Sequence, residues 1–207
     1  MTSILQKIDQ LFTNISEHTG WKRLKSTHCL KKTVNDLVFE IAFFSSKWNV
    51  SFERVEVQCF FNLYCKKFDK ALNIHSSIGF FKITPPNEEW YDISDEEKLF
   101  LATKQICNQF DKDILPVCRG LEEDFQNTII ELTTKKNFDK YNLKLQFLDV
   151  YAGREHVIQL AQQYTESLPP EIKQDIEKYK QGDRSKAWMC NPSNLKYIID
   201  NCILENV

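Results

Sequence analysis

The sequence predicts an α+β fold: an antiparallel β-meander of four or five strands packed on helices, followed by an all-helical C-terminal region. Three observations carry this. Apolar residues recur at every second position in several runs between Trp21 and Ile83. The gaps between those runs are too short for crossover helices, so sequential strands must pair antiparallel. From Ser94 onward the apolar spacing becomes helical.

Ser3–Glu17 carries Ile4, Ile8, Leu11, Phe12 and Ile15 on one helical face, and Gly20 is a stop signal. Short strands follow over Trp21–Leu24 and Leu30–Thr33. Val34–Phe44 places Leu37, Phe39, Ile41 and Phe43 on one face. Across Phe52–Cys65, Val55, Val57, Cys59, Phe61, Leu63 and Cys65 alternate with Arg54, Glu56, Gln58, Phe60, Asn62 and Tyr64, the pattern of a long strand with one buried face. Ser45–Val50 is the turn between these two. Ser76–Ile83 is a further strand, closed by Pro85-Pro86, and Pro85–Ile93 links sheet to helix. Ser94-Asp95-Glu96-Glu97 reads as a capping box. It opens a helix through Leu99, Thr103, Ile106, Phe110 and Ile114, which Pro116 and Gly120 end. A shorter helix spans Leu121–Thr134, with Phe125, Ile129 and Leu132 inward. Further helices are predicted over Leu143–Val150 and Glu155–Ser167, then from Pro169-Pro170 and from Asn191-Pro192. Lys180–Lys186 reads as an exposed loop. The predicted organisation is an α+β domain over 1–136 and a C-terminal helical extension over 137–207, packed on the first.

With 42% hydrophobic residues, 15 Phe and 4 Trp, the chain can fill a sizeable core, which excludes a disordered class. No run of 18 apolar residues suits a membrane span. The N-terminal helix contains Lys7, Asp9 and Glu17 and lacks the apolar block of a signal peptide, so a cytoplasmic protein is expected. The seven cysteines are odd in number and irregularly spaced, with no CxxC, and read as reduced, structural thiols.

No GxxxxGK(S/T), GxGxxG, HExxH, GxSxG or zinc-ligand spacing is present. His18, His28, His75 and His156 are scattered. His28 and Cys29 are adjacent on a strand and point to opposite faces, which suits a surface His beside a buried Cys rather than a nucleophile and its base. Glu96-Glu97 and Glu122-Glu123-Asp124 are adjacent acids that do not share a helix face, so they suit caps and solvated surfaces better than a metal. The sequence therefore assigns no catalytic residue, no metal ligand and no cofactor. An active site assembled from distant residues, acting on nucleic acid, stays open as an alternative.

Charge is unevenly spread. Residues 87–131 hold twelve acids against four bases, while residues 1–86 are net basic. Glu88, Glu89, Asp92, Asp95, Glu96 and Glu97 fall within ten residues, with Trp90 and Tyr91 among them. Aromatic anchors inside an acidic rim fit a protein-binding patch that steers a basic partner. The candidate contact residues are Glu88, Glu89, Trp90, Tyr91, Asp92, Asp95 and Glu96, extended by Glu122, Glu123 and Asp124. The competing reading is a helix N-terminus whose Trp90 packs on the sheet. The basic cluster Trp21-Lys22-Arg23-Leu24-Lys25, with Lys31 and Lys32, is small for a nucleic-acid footprint in a net acidic chain and reads as a solvated strand face. The expected partner is thus another protein, basic in character, with neither nucleic acid nor membrane as partner. A further alternative is an adaptor that docks through its C-terminal helices, 142–204.

Several segments together resemble the bacterial domain-of-unknown-function family 4304. They are Gly20-Trp21-Lys22-Arg23-Leu24, the strand Phe39-Glu40-Ile41-Ala42-Phe43-Phe44-Ser45-Ser46-Lys47-Trp48-Asn49, the aromatic pair in Glu89-Trp90-Tyr91-Asp92-Ile93, and the turn Asp113-Ile114-Leu115-Pro116. The resemblance covers roughly residues 4–132. It brings no catalytic residues. It implies an immunity-type protein that binds and blocks a cognate toxin.

Overall fold

The period-two segments form one antiparallel sheet, and the fold is α+β. A computed structural model describes residues 3–24, 27–51, 53–72, 77–185 and 193–204. The chain divides into two compact units, Met1–Glu123 and Asp124–Val207.

Helix α1 (Ile4–Thr19) starts at a true capping box. The Ser3 hydroxyl accepts from the Gln6 amide, and the Gln6 side chain accepts from the Ser3 amide at 2.7 Å. Gly20 closes the helix at φ 70°, a left-handed conformation that glycine adopts without a Cβ clash. Its buried stripe, Ile8, Leu11, Phe12 and Ile15, matches the predicted face.

Strands β1 (Lys22–Leu24), β2 (Cys29–Val34), β3 (Leu37–Ser45), β4 (Glu56–Cys65) and β5 (Gly79–Ile83) follow in sequential order. Leu37, Phe39, Ile41 and Phe43 pair across to Cys65, Leu63, Phe61 and Cys59, and all eight are buried. The predicted turn region lies between β3 and β4, where Val50 and Arg54 form a lone bridge. Two elements of the first unit were not predicted. Lys66–Leu72 is a short helix, α2, and Tyr91–Asp92 is a two-residue strand, β6, paired to Glu56 and Val57 beyond the end of β5. The predicted strand start at Ser76, like Phe52 at the head of the long strand, lies outside the described residues.

Helices cover the inner face of the sheet. Phe12 of α1 meets Phe43 at 4.4 Å between ring centroids, and Trp21 meets Phe110 edge-on at 5.2 Å. Phe110 belongs to a helical stretch that runs through the predicted stop. Helix α3 (Glu96–Gln109) passes into a π-helical turn, Phe110–Ile114, and on into α4 (Leu115–Glu123). Pro116 does not end it. The π turn, closed by the Leu115 amide on the Phe110 carbonyl, widens the coil just before the proline, where a regular helix would clash with its ring. The break falls instead at Asp124, whose carboxylate caps α5 (Phe125–Leu132). The predicted Leu121–Thr134 helix is thereby split in two.

The second unit continues with α6 (Lys135–Lys140), α7 (Leu145–Ala152), α8 (Arg154–Glu166), α9 (Pro170–Lys180) and α10 (Asn194–Asp200). Pro170 stands at the first helical position of α9, as predicted. Helix α10 is capped by Ser193, and the predicted start at Asn191-Pro192 lies outside the described residues. Asn194 ties α10 to the start of α7: it accepts from the Leu145 amide at 2.8 Å and donates to the Leu143 carbonyl at 2.9 Å. Asp149, its side chain 8% exposed, accepts from Tyr197 and pairs with Arg154 at 2.7 Å. The units divide at 123/124 rather than at 136/137, because α5 packs against α6 and α7.

Candidate functional site

The acidic aromatic segment is built outward from β4. Pro85 is buried and ends the β5 side, and Asn87 turns the chain at φ 63°. Strand β6 then alternates. Tyr91 and Ile93 point inward and are buried, while Trp90 and Asp92 are half-buried on the other side. The Ile93 amide donates to the Val55 carbonyl at 2.8 Å, and the Val55 amide donates to the Ser94 hydroxyl at 2.9 Å. Ser94 is therefore committed to holding this edge, and it is not the helix cap. Asp95 caps α3 instead, accepting from the Lys98 amide at 2.8 Å.

The acids of the segment fall into two groups. Asp92 accepts from the Ser94 amide and hydroxyl and from Lys98. Burial alone would raise its carboxyl, but Lys98 and Ser94 outweigh it and hold the group below its ordinary range. Glu96 pairs with Lys7 of α1, whose side chain is 4% exposed, and this contact lowers the Glu96 carboxyl. These acids, with Asp95, hold the fold. Glu88, Glu89 and Glu97 are exposed and have no ion-pair partner among the described residues.

Glu122 of the predicted extension does not join this patch. Glu122 binds Lys32 of β2 at 2.6 Å, and β3 and β4 lie between β2 and β6, a separation of about 14 Å across the sheet. Asp124 caps α5 through the Asn127 amide, and Glu123 is exposed. The candidate surface of the first unit is thus the segment 88–97.

Between this segment and α3 lies a cleft of about 380 Å³, walled by Glu88, Trp90, Tyr91, Asp92, Leu101 and Ala102 among others. A second, of about 470 Å³, adjoins it and is lined by Asn87, Gln105, Asn108 and Gln109. Both use Pro85, Pro86 and Gln105, so they form one groove along α3. Tyr91 is only 2% exposed, yet its hydroxyl has no hydrogen-bond partner among the described residues. Burial, with Cys59 nearby, pushes its pKa up and keeps it a neutral donor.

One surface feature went unread in the sequence. Phe44, Phe60 and Phe80 form a diagonal aromatic row on the outer face of the sheet, with ring centroids 5.2 Å apart at each step. The signal was there: Phe60 stands among the polar, outward positions of β4. Nearby, Glu40 gathers Lys31 at 2.8 Å and Asn62 at 3.2 Å. In the second unit, α8, α9 and α10 enclose an apolar cleft of about 380 Å³ lined by Ile176, Leu195, Ile198 and Ile199.

His28 is exposed, but it lies in the turn before β2, at φ 46°, rather than on the strand, and Cys29 is buried at the strand's first position. Cys59, Cys65, Cys107 and Cys118 are also buried. Among the described residues no group of three His, Cys, Asp or Glu side chains is placed to hold a metal ion. No helix among them is long and apolar enough to cross a membrane. No family model, curated protein or solved structure matches the chain.

Proposed function

We propose that this chain is a binding protein that recognises and neutralises another, basic protein, as a toxin-immunity protein does, and that the 88–97 edge of the first unit is its contact surface. One observation carries the reading. Glu88 and Glu89 adjoin half-buried Trp90, Glu88 lines the open groove, and these two and Glu97 of α3 have no ion-pair partner among the described residues, while Asp92 and Glu96 are occupied within the fold. Unpaired carboxylates raise the rate of encounter with a basic surface, and a part-buried aromatic supplies contact area at little entropy cost. A cytoplasmic place of work is part of the same proposal.

The test is a pull-down from the producing cells with the tagged chain, at low and high salt, beside a Glu88→Lys, Glu89→Lys, Glu97→Lys variant. Recovery of one basic protein in stoichiometric amount, weakened by salt and lost in the variant, is the expected result. Equal recovery by the variant would remove the acidic edge from the interface. Reversing Asp92 or Glu96 would be a poor test, since each supports the fold.

The apolar cleft between α8, α9 and α10 favours a second reading, an adaptor that docks through its C-terminal helices. Ile176→Asp, if it abolished recovery while the triple acid variant did not, would select it.

A further inference from the structure

We infer that the groove along α3 receives an extended basic segment of the partner, with one arginine seated in the cleft beside Trp90. This rests on the protein-binding reading above and names the chemistry of its ligand.

The cleft has the walls a guanidinium needs. Trp90 lines it, and an indole ring attracts a cation within about 6 Å of its face. Leu101 and Ala102 offer apolar surface for the aliphatic stem. The charges leave room for one cation. Lys98 lies 2.8 Å from Asp92, so that pair is balanced, and Glu88 has no ion-pair partner among the described residues. Tyr91 also lines the cleft, but its hydroxyl is buried beside Cys59 and takes no part in it.

The adjoining half of the groove differs in character. Asn87, Gln105, Asn108 and Gln109 are carboxamides, each with a donor and an acceptor end, suited to the alternating N–H and C=O of an extended peptide. Gln105, Asn108 and Gln109 recur at three- and four-residue spacing on α3, so they share a face. Lys112 and Asp113 add one charge of each sign. A net positive lining, which phosphate or nucleic acid would require, is absent from these walls.

The probe is a capped Ser/Gly hexapeptide carrying a single arginine, with its citrulline counterpart and inorganic phosphate as controls. Each is titrated into the full chain while the Trp90 indole and the Gln105 and Asn108 side-chain amides are followed by NMR. The arginine peptide should shift all three and bind about tenfold more tightly than the citrulline peptide, the difference made by one charge-assisted contact. Glu88→Gln and Gln105→Ala, both at exposed positions, should weaken it without disturbing the fold. No shift at Trp90, or equal binding of citrulline or phosphate, overturns the inference. The two proposals fail separately. A partner that is lost with the acidic-edge variant yet indifferent to Glu88→Gln and Gln105→Ala leaves the binding reading intact and removes the groove. Arginine binding at Trp90 without any salt-sensitive basic partner does the reverse.

Discussion

Tyr91→Phe removes one oxygen and nothing else. The ring stays buried against the sheet, and the deleted hydroxyl has no partner among the described residues. Protein mutational data put the cost of an unpaired buried hydroxyl at about 1–3 kcal/mol. Removing the group should therefore stabilise the first unit by about 1 kcal/mol, equivalent to a rise of roughly 4 °C in Tm for a unit of this size. Urea denaturation followed by tryptophan fluorescence reads this directly, because Trp21, Trp48 and Trp90 all belong to the first unit. Tyr197→Phe is the opposing control. Tyr197 donates to Asp149, a nearly buried carboxylate, and losing that contact should destabilise by about 1.5–3 kcal/mol. The two variants are chemically identical and should differ in sign. A loss of 1 kcal/mol or more in Tyr91→Phe would refute the reasoning, since it would mean the hydroxyl is satisfied in solution.

Two further outcomes follow from the electrostatics. Asp92 has a folded pKa below its ordinary 3.8, so its contribution to stability is complete above the unfolded value and is lost as pH falls through the folded one. Asp92→Asn should cost roughly 0.5 kcal/mol at pH 7, discounted for exposure, and match the parent near pH 2; a gap that widened on acidification would contradict it. The buried thiols should resist alkylation at pH 8. Burial, then Asp111, lifts Cys107 to about 11, and burial pushes Cys118 well up too, whereas Cys202 is exposed. Peptide mapping after brief iodoacetamide treatment should find Cys202 modified and Cys118 untouched, and equal labelling of the two would overturn this.

The sheet was legible because alternation in β3 and β4 is a direct consequence of burying one face. Every inward residue from Leu37 to Phe43 follows from period two alone. Strand β6 was not legible, since two residues carry no period. Pro116 misled because proline stops a regular helix, and nothing local announces a π turn able to absorb it. Ser94 and Asp95 are both good caps by type. The choice between them was made by the Val55 amide, which is near Ser94 only once the sheet exists.

The site was half legible for the same reason. The acidic run and its aromatic pair are plain in the sequence, but which acids are spoken for depends on distant residues. Lys7, which holds Glu96, lies 89 positions away. Lys32 similarly removes Glu122 from the patch.

What remains on the edge is charge the fold does not use. Like charges close together repel by a few tenths of a kcal/mol each, so Glu88 and Glu89 weigh slightly against folding, whereas Glu97 in the first turn of α3 suits the helix dipole. Reversal of Glu88 or Glu89 to lysine should leave the melting temperature unchanged or slightly raised. The acids that serve the fold behave oppositely: losing Glu96 strands the nearly buried ammonium of Lys7. Comparing melts of Glu88→Lys and Glu96→Lys therefore separates the two classes with no knowledge of the partner. If Glu88→Lys proved as destabilising as Glu96→Lys, the surplus charge would be structural, and the argument that it faces a partner would lose its footing.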